Sequence, residues 1–475
     1  MNNMRYCIHT IVFLFFFSSS ILAQNKNQKP NIIFIMADDL GWGELGCYGN
    51  TYNETPNLDK LATQGIKFTE AYAAAPLCSP TRASIMTGQY PARVKITDFL
   101  PAKTERWLDP SKYVTINEAL SKQGYYTGMF GKWHLDTDYK NNKGGPKAHG
   151  FDEVIGTETK YIGPGDYTFP YEYINTFTTG EKDEHLTDRQ STEVSKFIER
   201  NQKKPFFIYL PYYSVHTKLD APVALINKYK KKFDAKYGAG EAEKFYSESN
   251  ESHAADHVDN PYLAAMLERI DAGVGQIMET LKKTGLDKNT LIIFFSDNGG
   301  AGKVANNGIL RAGKTWLYEG GIREPLIMRW PGKIASNTIT NVPITSVDFY
   351  PTFLEVAGTK NNAGNLIDGV SIVPLITKKQ APKREAIYWH YPSETGKWKP
   401  RMASAVRKGD YKLLEFYLDK RYELFDLKKD PSEKNNLVKS MPGKVKELKI
   451  LLDNWKKNVN AEEPDVTSPK GKAEE

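Results

Sequence analysis

The chain has 475 residues, and its 64 basic and 57 acidic residues give a formal net charge of +7. This length is sufficient for a large hydrophobic core and for two or three domains. The mildly basic balance suits an anionic substrate without requiring one, and the sequence has no concentrated basic run of the kind that nucleic-acid-binding proteins use. We therefore expect no nucleic-acid partner.

Residues 1–23 have the pattern of a signal peptide. Arg5 precedes an apolar run over residues 11–17, and small residues lead from there to Ala23. The run is shorter than a typical membrane span, although an uncleaved N-terminal anchor is the alternative. We therefore expect an exported protein, periplasmic or secreted, with no membrane span in the mature chain.

Apolar runs of strand length alternate with helical patterns along most of the sequence. The predicted strands lie at residues 31–36, 125–130, 206–210 and 291–295. Helical patterns open at Thr55-Pro56 and at Thr115, which has Glu118 as its capping partner, and cover about 186–203 and 261–284. The alternation predicts an α/β fold with a large, mixed but mainly parallel sheet flanked by helices.

Reactive side chains follow each of the four predicted strands. They are Asp38 and Asp39, then Lys132 and His134, then His216, and finally Asp297 and Asn298. Any one of these groups alone is most often part of a surface loop. In a parallel sheet, however, ligands bind beyond the carboxyl ends of the strands, so four such ends predict one shared site.

The carboxylate and amide residues of this predicted site offer only oxygen as a ligand. Asp38, Asp39, Asp297 and Asn298 therefore suit a hard divalent cation such as Ca²⁺ or Mg²⁺ and argue against zinc. The lysines and histidines nearby supply positive charge and protons. A metal surrounded by lysines is the arrangement that an oxyanion of sulfur or phosphorus requires as charge develops on its oxygens.

A cysteine opens another helical stretch, Cys78-Ser79-Pro80-Thr81-Arg82. Pro80 fits a first helical turn and Ser79 is a competent cap, so we expect Cys78 at a helix N-terminus, where the helix dipole favours anions. Arg82, one turn later, faces the same region. An unpaired cysteine is most often a small buried hydrophobe, and a disulfide with Cys47 is the other ordinary interpretation in an exported chain.

The sequence changes character near residue 367. Short strand-like runs at 385–391, 403–407, 411–416 and 422–426, and a Lys-rich helix at about 442–457, predict a small antiparallel sheet with one helix. We therefore divide the chain into a signal peptide at 1–23, a catalytic domain at 24–380, a C-terminal subdomain at 381–461 and a flexible tail at 462–475.

The cysteine stretch, continued by Ala83-Ser84-Ile85-Met86-Thr87-Gly88, resembles the signature of the type I sulfatases. These are formylglycine-dependent enzymes of the alkaline phosphatase-like superfamily, and the likeness extends from about Asn31 to about Leu437. It implies hydrolysis of sulfate esters, and the similarity to bacterial polysaccharide and aryl sulfatases implies a sulfated oligo- or polysaccharide as the substrate. Cys78 would be oxidised to formylglycine by a formylglycine-generating enzyme, which would leave Cys47 unpaired.

The resemblance also implies a role for each candidate residue. One divalent cation, Ca²⁺ in preference to Mg²⁺, would be held by Asp38, Asp39, residue 78, Asp297 and Asn298. Arg82 would steady the hydrated formylglycine, and Lys132 and Lys314 would neutralise sulfate oxygens. His216 would protonate the departing alcohol, and His134 would take the proton that allows sulfate to be expelled. Trp316 occupies a position where we expect a smaller residue, which predicts an altered rim.

Two alternatives to a sulfatase remain open from the sequence. One is a phosphonate or phosphate ester hydrolase of the same superfamily, because relatives with the same cysteine motif perform that chemistry. The other is a secreted glycan-binding protein that retains the fold without catalysis, although every recognised active-site position is filled.

Overall fold

A computed structural model describes residues 29–101, 106–161, 163–245, 258–302, 304–360, 366–392 and 400–466. The predicted signal peptide at 1–23 and the last nine residues of the predicted tail lie outside these ranges. Among the helices described, none is both long enough and apolar enough to cross a membrane.

The larger part of the molecule is built on a nine-stranded sheet. Its strands are β1 (Asn31–Ala37), β2 (Ile66–Tyr72), β3 (Tyr126–Phe130), β4 (Glu153–Ile155), β5 (Phe206–Pro211), β6 (Thr290–Ser296), β7 (Arg323–Arg329), β8 (Thr338–Thr340) and β9 (Ile344–Thr345). The order across the sheet is β4-β3-β5-β1-β6-β7-β2-β8, and β9 also pairs with β2. The four strands predicted from the sequence are therefore adjacent at the centre of the sheet.

Neighbouring strands are parallel except at β7, which is antiparallel to both β6 and β2. The central strands β1, β5 and β6 are buried along their whole length, as continuous apolar runs require in a sheet covered on both faces. Alternate side chains of β1 enter opposite layers: Ile33 joins one hydrophobic cluster and Phe34 the other.

Helices cover both faces of this sheet. They are α1 (Pro56–Thr63), α2 (Cys78–Thr87), α3 (Pro91–Val94), α4 (Ile116–Ser121), α5 (Leu186–Arg200), α6 (Val223–Tyr237), α7 (Pro261–Lys283), α8 (Glu319–Ile322), α9 (Phe349–Val356) and α10 (Val373–Lys378). Side chains of α1, α5, α6 and α7 pack in the Ile33 cluster, and those of α2, α4 and α9 pack in the Phe34 cluster. The predicted capping box of α4, formed by Thr115 and Glu118, is present.

A second, four-stranded sheet is antiparallel throughout. It contains β10 (Ile387–Tyr391), β11 (Ala403–Lys408), β12 (Tyr411–Phe416) and β13 (Tyr422–Asp426) in that order, and it is followed by α11 (Pro442–Asn458). The buried face of α11 presents Leu448, Leu452 and Trp455. The predicted fold class, a mainly parallel α/β sheet with a smaller antiparallel subdomain, is confirmed.

A buried ionic cluster joins the two sheets. The ammonium of Lys412, on β12, lies 2.9 Å from a carboxylate oxygen of Glu319 and 3.0 Å from one of Glu433, and all three side chains are fully buried. The other Glu433 oxygen accepts a hydrogen bond from the Glu319 backbone N–H at 2.6 Å. The small sheet thereby fixes α8, the element that follows Lys314 in the chain.

Candidate active site

Two pairs of polar residues extend from adjacent strands at the carboxyl edge of the large sheet. Asp38 and Asp39 follow β1, and Asp297 and Asn298 follow β6; the two strands remain in parallel register up to Ala37 and Ser296. Asp39 has a left-handed backbone with a φ of 61°, and its N–H donates to Oδ1 of Asp297 at 3.1 Å. The predicted convergence of these side chains is therefore observed.

The acceptor atoms of this group are arranged as oxygen ligands for a hard cation. The Asn298 side-chain N–H donates to Oδ1 of Asp39 at 2.7 Å, so the amide oxygen faces the opposite way. Oδ1 of Asp38 and Oδ1 of Asn298 are buried and have no hydrogen-bond partner among the residues that the structure describes. Such orphaned oxygens cost roughly 1–3 kcal/mol each, and coordination to a hard cation is one way to satisfy them.

Three cationic side chains surround the carboxylates. The Arg82 guanidinium lies 2.6 Å from Oδ2 of Asp297 and 3.3 Å from Oδ2 of Asp38. Lys132 reaches the same Asp38 oxygen at 2.6 Å, and Lys314 lies 2.7 Å from Oδ2 of Asp39. Three carboxylates and three cations balance one another, so a bound divalent cation would give the site a net positive charge suited to an anion.

The three carboxylates have different proton affinities. Burial alone would raise the pKa of Asp38 and of Asp39, but Lys132 beside the first and Lys314 beside the second hold both pKa values below the ordinary value of 3.8. Burial and the Asp38 carboxylate raise the pKa of Asp297 to about 8, against the opposing effect of Arg82. Without a cation, the third negative charge is therefore disfavoured.

Cys78 is the first residue of α2 and is 3% exposed. The predicted cap is wrong by two residues: Leu77 occupies the N-cap, and the Ser79 hydroxyl accepts the backbone N–H of Leu100 at 3.1 Å. Ser79 cannot act as the cap because α2 already begins at Cys78. Cys78 and Cys47 are both free thiols, so the disulfide alternative is not observed.

His134 is directed at the cysteine. Its Nδ1 lies 3.2 Å from Sγ of Cys78, and its Nε2 lies 3.1 Å from the Leu100 carbonyl oxygen. A carbonyl oxygen can only accept, so Nε2 carries the proton and the Nδ1 lone pair faces residue 78. Burial, reinforced by the charge of Lys132, lowers the pKa of His134 to about 3, and the ring is a neutral proton acceptor.

His216 lies beside the Asp39 carboxylate. Its Nδ1 donates to the Thr217 carbonyl oxygen at 2.5 Å, which leaves Nε2 facing Oδ2 of Asp39 at 3.7 Å. Burial and the charge of Lys314 lower the pKa of His216 to about 4. Asp38, Asp39 and His216 also form a group with ligand atoms within 4.8 Å of one another, so His216 can contribute to a metal site as well as to proton transfer.

Glu158 is a site residue that the sequence reasoning missed. Its carboxylate accepts the backbone N–H groups of Trp133 at 2.9 Å and of His134 at 2.6 Å, which fixes the loop after β3. The Tyr213 hydroxyl also donates to it at 3.1 Å. Glu158 stands in a polar stretch with no apolar periodicity, so nothing in the local sequence distinguishes it from a loop residue.

Two protein-family models, taken together, and several known proteins match this chain over most of its length. The sulfatase family model matches residues 30–359, and the model of the C-terminal region of N-sulphoglucosamine sulphohydrolase matches residues 312–458. A sulfatase of Formosa agariphila is 30% identical over 516 aligned positions, covering 92% of this chain and 90% of that protein.

Two further relatives are described by their substrates or ligands. An N-acetylgalactosamine-6-O-sulfatase of Bacteroides thetaiotaomicron is 29% identical and covers 91% of this chain and 94% of its own length. The crystal structure of Ps i-CgsB superposes with a TM-score of 0.77 at 31% identity and covers 92% of this chain and 94% of that one. Ps i-CgsB has also been crystallised with k-i-k-neocarrahexaose.

Proposed function

Because this chain belongs to the sulfatase family and is a sulfuric ester hydrolase, we propose that it removes sulfate from a carbohydrate, using a formylglycine at residue 78 and one divalent cation. The observation that carries the proposal is the position of Cys78 at the start of α2, beside Arg82, Lys132 and the carboxylates. The carbohydrate part is supported by the relatives named for N-acetylgalactosamine 6-sulfate and crystallised with a neocarrahexaose.

The proposed cation ligands are Asp38, Asp39, Asp297 and Asn298, together with residue 78. Calcium is favoured over magnesium because the donors are protein oxygens held by the fold rather than water. A cation there would supply Lewis-acid stabilisation of charge on the sulfate oxygens. Its binding would also require the Asp297 carboxyl to be ionised, against the raised pKa of that group.

Residue 78 is proposed to mature to formylglycine, whose hydrated aldehyde supplies the hydroxyl nucleophile. In the structure, Sγ of Cys78 stands in for the oxygen that this group would place near His134. His134 is suited to accept a proton from that oxygen because its Nδ1 is unprotonated and its Nε2–H is anchored on Leu100. Maturation requires a formylglycine-generating enzyme as a partner.

Lys132 and Lys314 are proposed to bind the sulfate oxygens. Both are protonated, because the Asp38 and Asp39 carboxylates respectively raise the pKa of each ammonium above its ordinary value despite burial. Their present contacts with Asp38 and Asp39 are bonds that a cation on the same carboxylates would weaken. Each ammonium then has donors available for an anion.

His216 is proposed to protonate the departing alcohol, with Lys314 beside it. The ring is neutral in the free site, since its pKa is about 4. A sulfate ester brings negative charge next to Nε2 and would raise that pKa, so the protonated form becomes available when the substrate is bound. The low pKa of His216 in the absence of substrate is therefore compatible with a general acid whose ring becomes protonated when the substrate binds.

The proposed function is tested by parallel assays on an aryl sulfate and an aryl phosphodiester, with Cys78→Ala as the control for contaminating activity. We expect hydrolysis of the aryl sulfate at a much higher kcat/KM, abolished in Cys78→Ala. A higher kcat/KM on the phosphodiester would favour the phosphate ester hydrolase, and binding of sulfated oligosaccharides without hydrolysis would favour the non-catalytic relative.

Export to the periplasm or the medium completes the proposal. It is supported by the pattern of Arg5 and the apolar run at 11–17. A large sulfated polysaccharide cannot cross a cytoplasmic membrane unaided, so such an enzyme must meet its substrate outside that membrane. N-terminal sequencing of the secreted protein is expected to begin at Gln24.

A further inference from the structure

An arginine of the C-terminal subdomain is held at the rim of the site by an aromatic ring. The Arg401 guanidinium lies 5.0 Å from the ring centre of Trp316, and that ring stacks on Tyr318 with centroids 5.5 Å apart and an interplanar angle of 27°. Arg401 also donates through Nη1 to the Thr315 hydroxyl. Two contacts from one short segment therefore orient the guanidinium.

The segment that holds Arg401 is the one that carries Lys314. The Thr315 backbone N–H donates to the Pro76 carbonyl oxygen at 2.9 Å, two residues before Cys78. The Lys314 side chain, on the preceding residue, reaches Asp39 at 2.7 Å and is 18% exposed. Arg401 is thus connected by one hydroxyl to the residue that follows Lys314 in the chain.

The charge of Arg401 is not neutralised by the part of the protein that the structure describes. Within the described ranges, its guanidinium has no carboxylate within ion-pair distance, and its side chain is half-buried. Arg421 of the same subdomain makes a useful contrast. It stacks on Phe416 at 3.7 Å but is paired with Glu423 at 3.1 Å.

A half-buried guanidinium that has no counter-ion among the described residues is costly unless an anion joins it. Partial burial lowers the pKa of Arg401, because the charged form of the guanidinium is disfavoured there. Guanidinium presents five N–H donors, of which the bond to Thr315 uses one. The remaining donors form the planar fork that binds sulfate or carboxylate in two parallel hydrogen bonds.

We propose that Arg401 binds a second anionic group of the substrate, a sulfate or carboxylate on the sugar next to the one that carries the scissile sulfate. Trp316 is a positioning residue that holds the guanidinium by its ring. This inference rests on the proposed function, and it assigns the enzyme to oligosaccharides with more than one anionic group. It also accounts for the large side chain of Trp316 at a position where we expected a smaller residue.

Binding measurements on the inactive Cys78→Ala background test the subsite directly. The probes are κ- and ι-carrageenan tetrasaccharides, which differ by a second sulfate in each disaccharide, and a chondroitin 6-sulfate tetrasaccharide, whose neighbouring sugar carries a carboxylate. Isothermal titration calorimetry is expected to show tighter binding of the probes that carry the second anion. Arg401→Met should weaken that binding about tenfold, the loss of one charge-assisted interaction, whereas Arg421→Met should not change it.

The same experiment distinguishes a sulfate from a carboxylate as the anion that Arg401 binds. An Arg401-dependent advantage of ι- over κ-carrageenan assigns a sulfate, and an Arg401-dependent affinity for the chondroitin probe assigns a carboxylate. Trp316→Leu should reproduce part of the loss, and Arg401→Lys should restore part of it, since the charge returns without the fork. In active enzyme, Arg401→Met should raise KM for the preferred probe while changing kcat little.

Two outcomes would overturn the inference. One is equal binding of the κ and ι probes together with no response of the chondroitin probe to Arg401→Met. The other is the same fractional loss for Arg401→Met on every probe, which would show a structural role. If the protein that retains Arg401 binds the probes as expected but hydrolyses no sulfate ester, the proposed function is wrong while the proposed anion subsite is supported.

Discussion

The ammonium of Lys314 lies 2.7 Å from Oδ2 of Asp39, although 275 positions separate the two residues in the chain. The same carboxylate oxygen faces Nε2 of His216 at 3.7 Å. One oxygen therefore connects a proposed sulfate ligand, a proposed acid and a proposed cation site. Any change in the occupancy of that site is expected to be felt by both side chains.

Lys314→Met should lower kcat on an aryl sulfate by at least about 100-fold, because one preorganised cation facing the reacting oxygens is removed. The matched control is Lys408→Met on the surface of the small sheet, which is paired with Glu385 and Glu447. Circular dichroism should show both variants folded. A loss below tenfold would contradict the role of Lys314.

A peptide spanning Leu77–Arg82, isolated from protein made in a host with the modifying machinery, should carry an aldehyde in place of the thiol. Mass spectrometry with and without an aldehyde-reactive hydrazine measures this. Cys78→Ala should abolish turnover without unfolding the protein. Active enzyme with an intact Cys47–Cys78 disulfide would refute the assignment.

Asp297→Ala should eliminate both divalent-cation binding and activity, since it removes one of the three carboxylates of the site. In the unmodified protein, chelation should lower the melting temperature, because a bound ion stabilises the folded state. Asp453→Ala, which removes a surface partner of Lys449, serves as the control. Full activity after verified loss of all metal would exclude the proposed cation.

His216→Ala should reduce activity on a sulfated sugar far more than on an activated aryl sulfate, by about 100-fold against less than tenfold. An aryl oxide with a low pKa departs without a proton, whereas a sugar alkoxide does not. The ratio of kcat/KM values on the two substrates is the measurement. Equal losses would show that His216 binds sulfate or the cation instead.

Glu44 is expected to make stability depend on pH. Burial raises the pKa of its carboxyl from 4.5 to about 8, although the Asn306 N–H and the Asn53 amide both donate to it. A raised carboxyl pKa stabilises the fold fully below pH 4.5, and this stabilisation declines as pH rises towards 8. Glu44→Gln should remove that component, which amounts to about 1.4 kcal/mol for each pH unit between the two pKa values.

Denaturant midpoints measured at pH 5 and pH 8 test this expectation. The difference between the two midpoints should be smaller in Glu44→Gln than in the unmodified protein. Glu355→Gln, at the last turn of α9, is a suitable exposed control. An unchanged difference would show that Glu44 is ionised in the folded protein at neutral pH.

Much of the fold follows from periodicity in the sequence. Fully buried strands such as β1 and β6 are recognisable as continuous apolar runs. The bounds of the predicted strands and helices match the observed ones to within a few residues. The strand β7 was not among the predicted strands, and its direction could not have been predicted either, because parallel and antiparallel central strands bury the same residues. The pairing partner, rather than the composition, decides the direction.

The site was predictable where it follows the strand ends. Asp38 and Asp297 each stand directly after a buried strand, so sheet geometry alone brings them together. Glu158 and Arg401 were not predictable, since each acts through a loop whose path depends on tertiary packing. The resemblance to sulfatases provided the role of Lys314, which no local pattern indicates.

The burial of Cys78 has a consequence for the order of events in the cell. The side chain is 3% exposed, and it is enclosed by His134 and by the chain that contacts Ser79. A modifying enzyme would have to surround this residue, which the closed protein does not permit. The oxidation proposed at position 78 would therefore have to precede folding, so a molecule that folded first would carry an intact thiol and lack the proposed nucleophile for as long as it remained folded.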